Sequence, residues 1–325
     1  MSRPRLLVLS LGGTITMVPT AEGGIAPKLG AAELVASVPA LGEVAEITAE
    51  SPFRLPSPSL TPAQVVGVAQ RIESAFADGF DGVVVIQGTD TIEETAFLLD
   101  MLVGGEKPVV VTGAMRGADA PGADGPANLL SAAILAASAE ARGLGTLVVL
   151  NYDIHAARFV QKSHTAQPSA FLSPLAGAIG TMIERRPRIY TRVARLPVLP
   201  TAPGAPVPVA LVRWGMGDDG RLLSALPGLG YAGAVIEGMG AGHVPADATD
   251  AISRLAENMP VVLASRVMTG QVFTATYGYP GGEIDLIGRG LVPAGYLSGL
   301  KARLLLGLAL RGAGPSVTQV FAPFQ

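Results

Sequence analysis

Apolar and polar positions follow one repeated order along this chain. A short run of branched apolar residues gives way to a turn of glycine with hydroxyl or acidic residues, and a helix-forming stretch follows. The order is clearest from Asp81 to Thr95, DGVVVIQGTDTIEET. Val83, Val84, Val85 and Ile86 are apolar without alternation, the pattern of a strand buried on both faces of a parallel sheet. Gln87-Gly88 closes that strand, and Ile92 to Val103 has helical character. Thr91 and Glu94 have capping-box spacing, and Glu93 and Glu94 suit a helix N-terminus. Thr89 and Asp90 are therefore expected on a strand-to-helix turn at the carboxyl edge of a sheet. Open α/β folds bind ligands there, although both residues also make good helix caps.

The same order recurs on either side. Leu6 to Leu11 reads as a first strand broken by Gly12-Gly13-Thr14, where glycines let the backbone approach a ligand. Pro19 to Lys28 reads as a loop, Ala31 to Ser37 as a short helix, and Ala63 to Phe76 as a longer one after the proline-rich Arg54 to Pro62. Pro108 to Thr112 and Gly145 to Asn151 are further strands, flanking a helix over Pro126 to Ala139. Four such units predict a mostly parallel, doubly wound sheet with right-handed crossovers. Arg158 to Ser173 fits no simple pattern.

Leu196 to Pro208, LPVLPTAPGAPVP, holds five prolines in thirteen residues and suits a semi-rigid boundary. The expected organisation is a larger N-terminal α/β domain over 1–196, a linker over 197–207, and a smaller C-terminal α/β domain over 208–325. Val209 to Val212, Gly233 to Ile236 and Pro260 to Ala264 are its expected strands, with helices between them, one over Asp247 to Glu257, and a last helix over Gly299 to Arg311.

Composition narrows the function classes. Of the 325 residues, 49% are apolar and 15% charged, enough for a large core and unlike a disordered chain. The net charge of −3 offers no general basic surface for nucleic acid. The absence of cysteine excludes disulfides, thiolate catalysis and thiolate metal sites. His155, His164 and His243 lack metal-site spacing, so no metal and no cofactor are expected. No apolar run reaches a membrane span of about 18 residues. Arg3 and Arg5 before the first apolar run mimic a signal peptide only weakly, and a cytoplasmic protein is the default expectation.

Thr14, Thr89, Asp90 and Ser57 fall at expected strand ends, and Lys162 follows. A threonine hydroxyl is a poor nucleophile until its proton is removed. A part-buried lysine beside an acid can supply or tune that base. Thr89, Asp90 and Lys162 thus form a chemically sensible set, although a single lysine is more often a solvated surface residue.

Leu11-Gly12-Gly13-Thr14-Ile15 resembles the first threonine motif of bacterial-type asparaginases. Gln87-Gly88-Thr89-Asp90-Thr91-Ile92-Glu93-Glu94-Thr95 resembles their second, usually written with histidine in place of Gln87. Gly113-Ala114-Met115-Arg116, Ala123-Asp124-Gly125-Pro126-Ala127-Asn128-Leu129 and Ser265-Arg266-Val267 with Thr269-Gly270 look like the same family. The resemblance implies a hydrolase that converts L-asparagine to L-aspartate and ammonia, with a glutaminase-asparaginase that also takes L-glutamine as the same-class alternative. In that reading Thr14 is the nucleophile, and Thr89, Asp90 and Lys162 form a second constellation. Asp90 grips the α-ammonium, Ser57 the α-carboxylate, and backbone groups of Gly13, Gly88 and Ala114 hold substrate and oxyanion. It also implies a homotetramer of intimate dimers. A related amide-hydrolysing subunit, or a non-catalytic small-amino-acid or nucleotide sensor, are the alternatives.

Three positions depart from the family pattern. Many members carry a tyrosine on the loop corresponding to Val18 to Lys28; this loop has none, and Gly24 stands about there. Tyr277 or Tyr279 are candidate substitutes. Pro58 follows the serine where glutamine is common. His243, in Gly238-Met239-Gly240-Ala241-Gly242-His243, stands where some members have asparagine. That loop alone also suggests a phosphate-binding turn, without full G-x-G-x-x-G spacing. His243 and Glu283 are the candidates for groups supplied by a neighbouring subunit.

Overall fold

The structure, a computed structural model, describes residues 3–19, 25–27, 29–200, 207–312 and 314–325. Gly24, singled out for the missing tyrosine, and residues 201–206 of the proline-rich stretch lie outside the described residues. The chain divides into two compact units, Met1–Val198 and Leu199–Gln325.

The strands of the first unit are β1 (Arg5–Ser10), β2 (Met17–Pro19), β3 (Ile25–Pro27), β4 (Glu46–Glu50), β5 (Gly82–Ile86), β6 (Val109–Thr112), β7 (Thr146–Leu150), β8 (Asp153–Ala156), β9 (Gln161–Lys162), β10 (Phe171–Leu172), β11 (Gly180–Ile183) and β12 (Arg186–Ile189). Its helices are α1 (Ala31–Ala36), α2 (Leu41–Val44), α3 (Pro62–Ala77), α4 (Ile92–Leu102) and α5 (Gly125–Ala136). Eight strands form one sheet in the order β12-β11-β8-β7-β6-β5-β1-β4. The five from β4 to β7 are parallel, and β8, β11 and β12 extend the sheet antiparallel.

Every side chain of β5 is buried, as its unbroken apolar run requires. Alternate residues Leu6, Val8, Val84, Ile86, Val110, Leu147 and Val149 pack with Leu34 and Val38 near α1, Leu41 of α2, and Leu129, Ala132, Ala133 and Ala136 of α5. α4 packs on β6 and β7 outside that cluster, and α3 packs on α4. The sheet is thus covered on both faces. Each buried valine or isoleucine contributes about 1.5–3 kcal/mol.

The sequence pattern misses β4, β8, β11 and β12. β4 is half exposed at the sheet edge, and β12 carries Arg186 and Arg188 outward. Neither offers the apolar run that marks a central strand. Arg158 to Ser173 proves to hold the antiparallel pair β9–β10, with Lys162 opposite Phe171.

The second unit contains β13 (Val209–Arg213), β14 (Gly233–Gly238), β15 (Val261–Ser265) and β16 (Val292–Pro293), parallel and in consecutive order. Its helices are α6 (Thr249–Asn258), α7 (Glu283–Gly288), α8 (Gly299–Ala309) and α9 (Val317–Phe321). The helix expected between β13 and β14 is absent. Two short 3-10 turns, Arg221–Ala225 and Pro227–Leu229, stand in its place, and Pro227, Gly228 and Gly230 disfavour a longer helix there.

Candidate active site

Within the parallel part of the first sheet, β1 lies between β4 and β5, and the chain reverses its direction of build at β1. The crevice at the carboxyl ends of β1 and β5 is the topological switch point, where doubly wound folds bind ligands. Thr14 follows β1 and Thr89 follows β5.

The two turns touch through glycine. Gly13 has φ 93°, and a Cβ built there falls 2.0 Å from the Gly88 nitrogen, a space no side chain can share. A Cβ on Gly88 falls 2.7 Å from Ser57 Oγ. Three turns, around Gly13, Gly88 and Ser57, therefore meet at one point. Leu11 N–H donates to Ile86 O at 2.8 Å and Leu55 N–H to Leu11 O at 3.0 Å, tying the same segments together. Thr14 is half-buried and opens a 3-10 turn in which Thr16 donates both N–H and Oγ1 to Gly13 O.

Thr89 and Asp90 sit on a 3-10 turn that leads into α4, and Thr89 is buried. Lys162 Nζ donates to Thr89 Oγ1 at 2.9 Å and to Asp90 Oδ1 at 2.6 Å. The Lys162 side chain is 15% exposed and that of Asp90 58%, so one end of this pair is covered and the other open to ligand or water. The expected capping box at Thr91 does not form. Thr91 makes no side-chain cap hydrogen bond. Its hydroxyl accepts from Gln87 Nε2 at 3.1 Å and donates to Ser57 O at 3.2 Å.

Lys162 is held from two sides. Ser163 N–H donates to Ala170 O at 2.7 Å across the β9–β10 pair. His155 Nδ1, on β8, lies 3.0 Å from Ser173 Oγ just beyond β10. Burial pushes the His155 imidazole down to about 4. Four residues before Lys162, buried Arg158 pairs with buried Asp100 of α4 at 3.7 Å, and Asp100 also accepts Thr146 N–H at 2.9 Å. The helix that begins at the Thr89 turn is thus tied to the segment that carries Lys162.

The turn after β6, with Ala114, has a clamp that motif reading did not assign. Asp124 accepts Met115 N–H at 3.0 Å and Arg116 N–H at 2.9 Å, and Asn128 Nδ2 reaches both Asp124 and Gly113 O. Asn128 Oδ1 accepts Asn151 N–H. A signal was present: a buried-sheet protein has little use for an Asp and an Asn one helical turn apart unless they bond local backbone.

His243 and Glu283 lie in the second unit. The glycine-rich loop is a tight turn in which Met239 and His243 exchange backbone hydrogen bonds at 2.7 and 2.8 Å, and Gly242 N–H also donates to Met239 O. Three of the loop's amides, those of Met239, Gly242 and His243, are thus used internally. Glu283 is fully buried at the start of α7 and accepts N–H from Thr276 at 2.8 Å and Tyr277 at 2.7 Å. Its other oxygen lies 3.2 Å from His243 Nε2. Burial raises the carboxyl pKa, but the Tyr277 and Thr276 N–H groups with His243 outweigh it and the net direction is down. Tyr277 and Tyr279 pack edge-on against His243, with centroids at 4.9 and 5.6 Å.

Among the described residues no cluster of three or more His, Asp or Glu could hold a metal, and no helix is long and apolar enough to cross a membrane.

Residues 5–195 match the family "Asparaginase, N-terminal", and residues 208–320 match the "Glutaminase/Asparaginase C-terminal domain". The chain is 40% identical to a probable L-asparaginase of Deinococcus radiodurans, over 97% of this chain and 95% of that protein. It is 32% identical to an L-asparaginase of Bacillus licheniformis, over 94% and 95%. The crystal structure of a probable cytoplasmic L-asparaginase from Campylobacter jejuni superposes with a TM-score of 0.86 at 31% identity, covering 98% of this chain and 99% of that one. With both halves matched and relatives aligned end to end, the chain belongs to the asparaginase family and is an amidohydrolase.

Proposed function

We propose that the chain hydrolyses the side-chain amide of L-asparagine to L-aspartate and ammonia through an acyl-threonine intermediate. The observation that carries this reading is the ammonium of Lys162 bonded to both Thr89 and Asp90, at the switch point that Thr14 also borders.

Thr14 Oγ1 attacks the amide carbon, and the hydroxyl proton passes to the amide nitrogen, which leaves as ammonia. Backbone groups of Gly13, Gly88 and Ala114 hold the substrate and the negative oxygen as the carbon becomes tetrahedral. The product is an ester on Thr14. Thr89, with Lys162 beside it, orients the water that attacks the ester. The carboxyl group leaves with the water oxygen, and a water proton returns to Thr14. Asp90 pairs with the α-ammonium of the substrate, a charge-assisted contact. The Ser57 hydroxyl, buried and without a partner in the free protein, faces the α-carboxylate.

L-glutamine is the second substrate of this reading. The protein acts as a cytoplasmic homotetramer of intimate dimers in which His243, oriented by Glu283, serves a neighbouring subunit's site. The test is ammonia release from L-asparagine and L-glutamine by the parent protein, with Thr14→Ala as control. Release from neither amide overturns the function; undiminished release by Thr14→Ala overturns the nucleophile.

A further inference from the structure

Gln87 closes β5, is fully buried, and precedes the Thr89 turn. Its carboxamide NH2 donates to Gly88 O at 3.2 Å and to Thr91 Oγ1 at 3.1 Å. The carbonyl of Gly88 can only accept, so the NH2 end must face it, and both hydrogens are committed. Thr91 Oγ1, having accepted from Gln87, directs its single hydrogen to Ser57 O at 3.2 Å. Ser57 O also accepts Leu60 N–H, closing the 3-10 turn Ser57–Ser59. The result is a one-way line of donors from Gln87 through Thr91 to the Ser57 backbone. It ends beside a Ser57 hydroxyl that is 2% exposed and bonded to nothing in the protein.

This line replaces the helix cap that Thr91 would otherwise make. Gln87 suits the role for a countable reason. A neutral imidazole, the usual group at this place in the family pattern, has one N–H and can donate to Gly88 O or to Thr91, not to both.

We propose that Gln87 and Thr91 are positioning residues that aim the Ser57 hydroxyl and so set the affinity for the α-carboxylate of the substrate. The inference rests on the reading of Ser57 as the carboxylate contact. It locates ground-state recognition in Thr91 and Gln87 while Thr89, two residues away, serves the chemical step.

The test compares KM, kcat and the calorimetric Kd for L-aspartate in Thr91→Val, Thr91→Ser, Gln87→His and Ser57→Ala, with circular dichroism to check the fold. Losing one well-placed hydrogen bond corresponds to about tenfold in affinity. Thr91→Val is expected to raise KM for L-asparagine and Kd for L-aspartate together by about that factor, with kcat within about twofold. Thr91→Ser restores the hydroxyl and both constants. Gln87→His, which keeps bulk and one N–H, falls between and carries the test if Thr91→Val does not fold. Parent release of ammonia with KM raised in Ser57→Ala but unchanged in the Thr91 and Gln87 variants overturns this inference alone. An unchanged KM in Ser57→Ala overturns the carboxylate reading beneath it. A fall in kcat at constant KM in Thr91→Val also overturns the inference, since Thr91 would then serve the chemistry.

Discussion

Lys162 Nζ donates to Thr89 Oγ1 at 2.9 Å although 73 positions separate them in the chain. β9, which carries Lys162, is only two residues long, so its own pairing contributes little. The Arg158–Asp100 pair precedes it in the chain and the His155–Ser173 contact lies just beyond its partner strand.

Thr89→Val keeps shape and β-branching and removes the hydroxyl. Turnover is expected to fall at least a hundredfold with the melting temperature within a few degrees, in keeping with the loss of a group acting in acid–base chemistry. A capping role alone predicts a loss of about 1 kcal/mol of stability and near-normal turnover. Steady-state rates beside a thermal melt decide between them.

Lys162→Met is expected to be inactive and at least as stable as the parent. The ammonium is largely covered, so its desolvation offsets much of the attraction to Asp90, whose side chain is itself well exposed. Methionine keeps most of the length. Retained turnover would leave Lys162 a structural partner of Thr89 and Asp90 with no part in the chemistry.

The His155 imidazole titrates near 4 in the folded protein because burial penalises its charge. The unfolded chain takes up that proton near pH 6.5. Between these values the unfolded state binds more protons, so stability falls as pH falls, with no cost above about 6.5 and the full cost below about 4. The slope approaches ~1.4 kcal/mol per pH unit. His155→Asn keeps a polar group toward Ser173 and does not titrate. Its melting temperature should depend less steeply on pH across this window; an unchanged slope argues against the assignment.

Subunit mixing tests the shared site. Thr14→Ala and His243→Ala proteins, each inactive, are dissociated and reassociated together. Activity should return, because some sites then receive neither lesion. A fully active His243→Ala, or no recovery despite proven exchange, removes His243 from the site. Glu283→Ala should cost more stability than either, since it removes the buried carboxylate that accepts the N–H groups of Thr276 and Tyr277, at about 0.5–1.5 kcal/mol per hydrogen bond.

The central strands were legible because β1, β5, β6 and β7 are buried on both faces and leave unbroken apolar runs. Thr89 and Asp90 were legible from the same pattern, as the turn that ends such a run. Lys162 had no local signal, since its strand is defined by a partner nine residues on and by tertiary contacts. Gln87 and Thr91 were visible only as motif letters. Propensity assigned Thr91 to a helix cap, and the tertiary bond to Ser57 overrode it. The burial of Glu283 had no local signal, since it comes from its turn back onto the N–H groups of Thr276 and Tyr277.

The contact of Gly13 with Gly88 bears on how this protein can be diversified. A methyl at position 13 has no room to relax, because what it meets is main chain rather than a movable side chain. The loops bearing Thr14 and Thr89 therefore cannot be retuned separately; a shift in one is transmitted to the other. Mutant libraries aimed at new amide substrates should leave both glycines fixed. They gain more by sampling Pro58, which is exposed, with Ser57 beside it left unchanged.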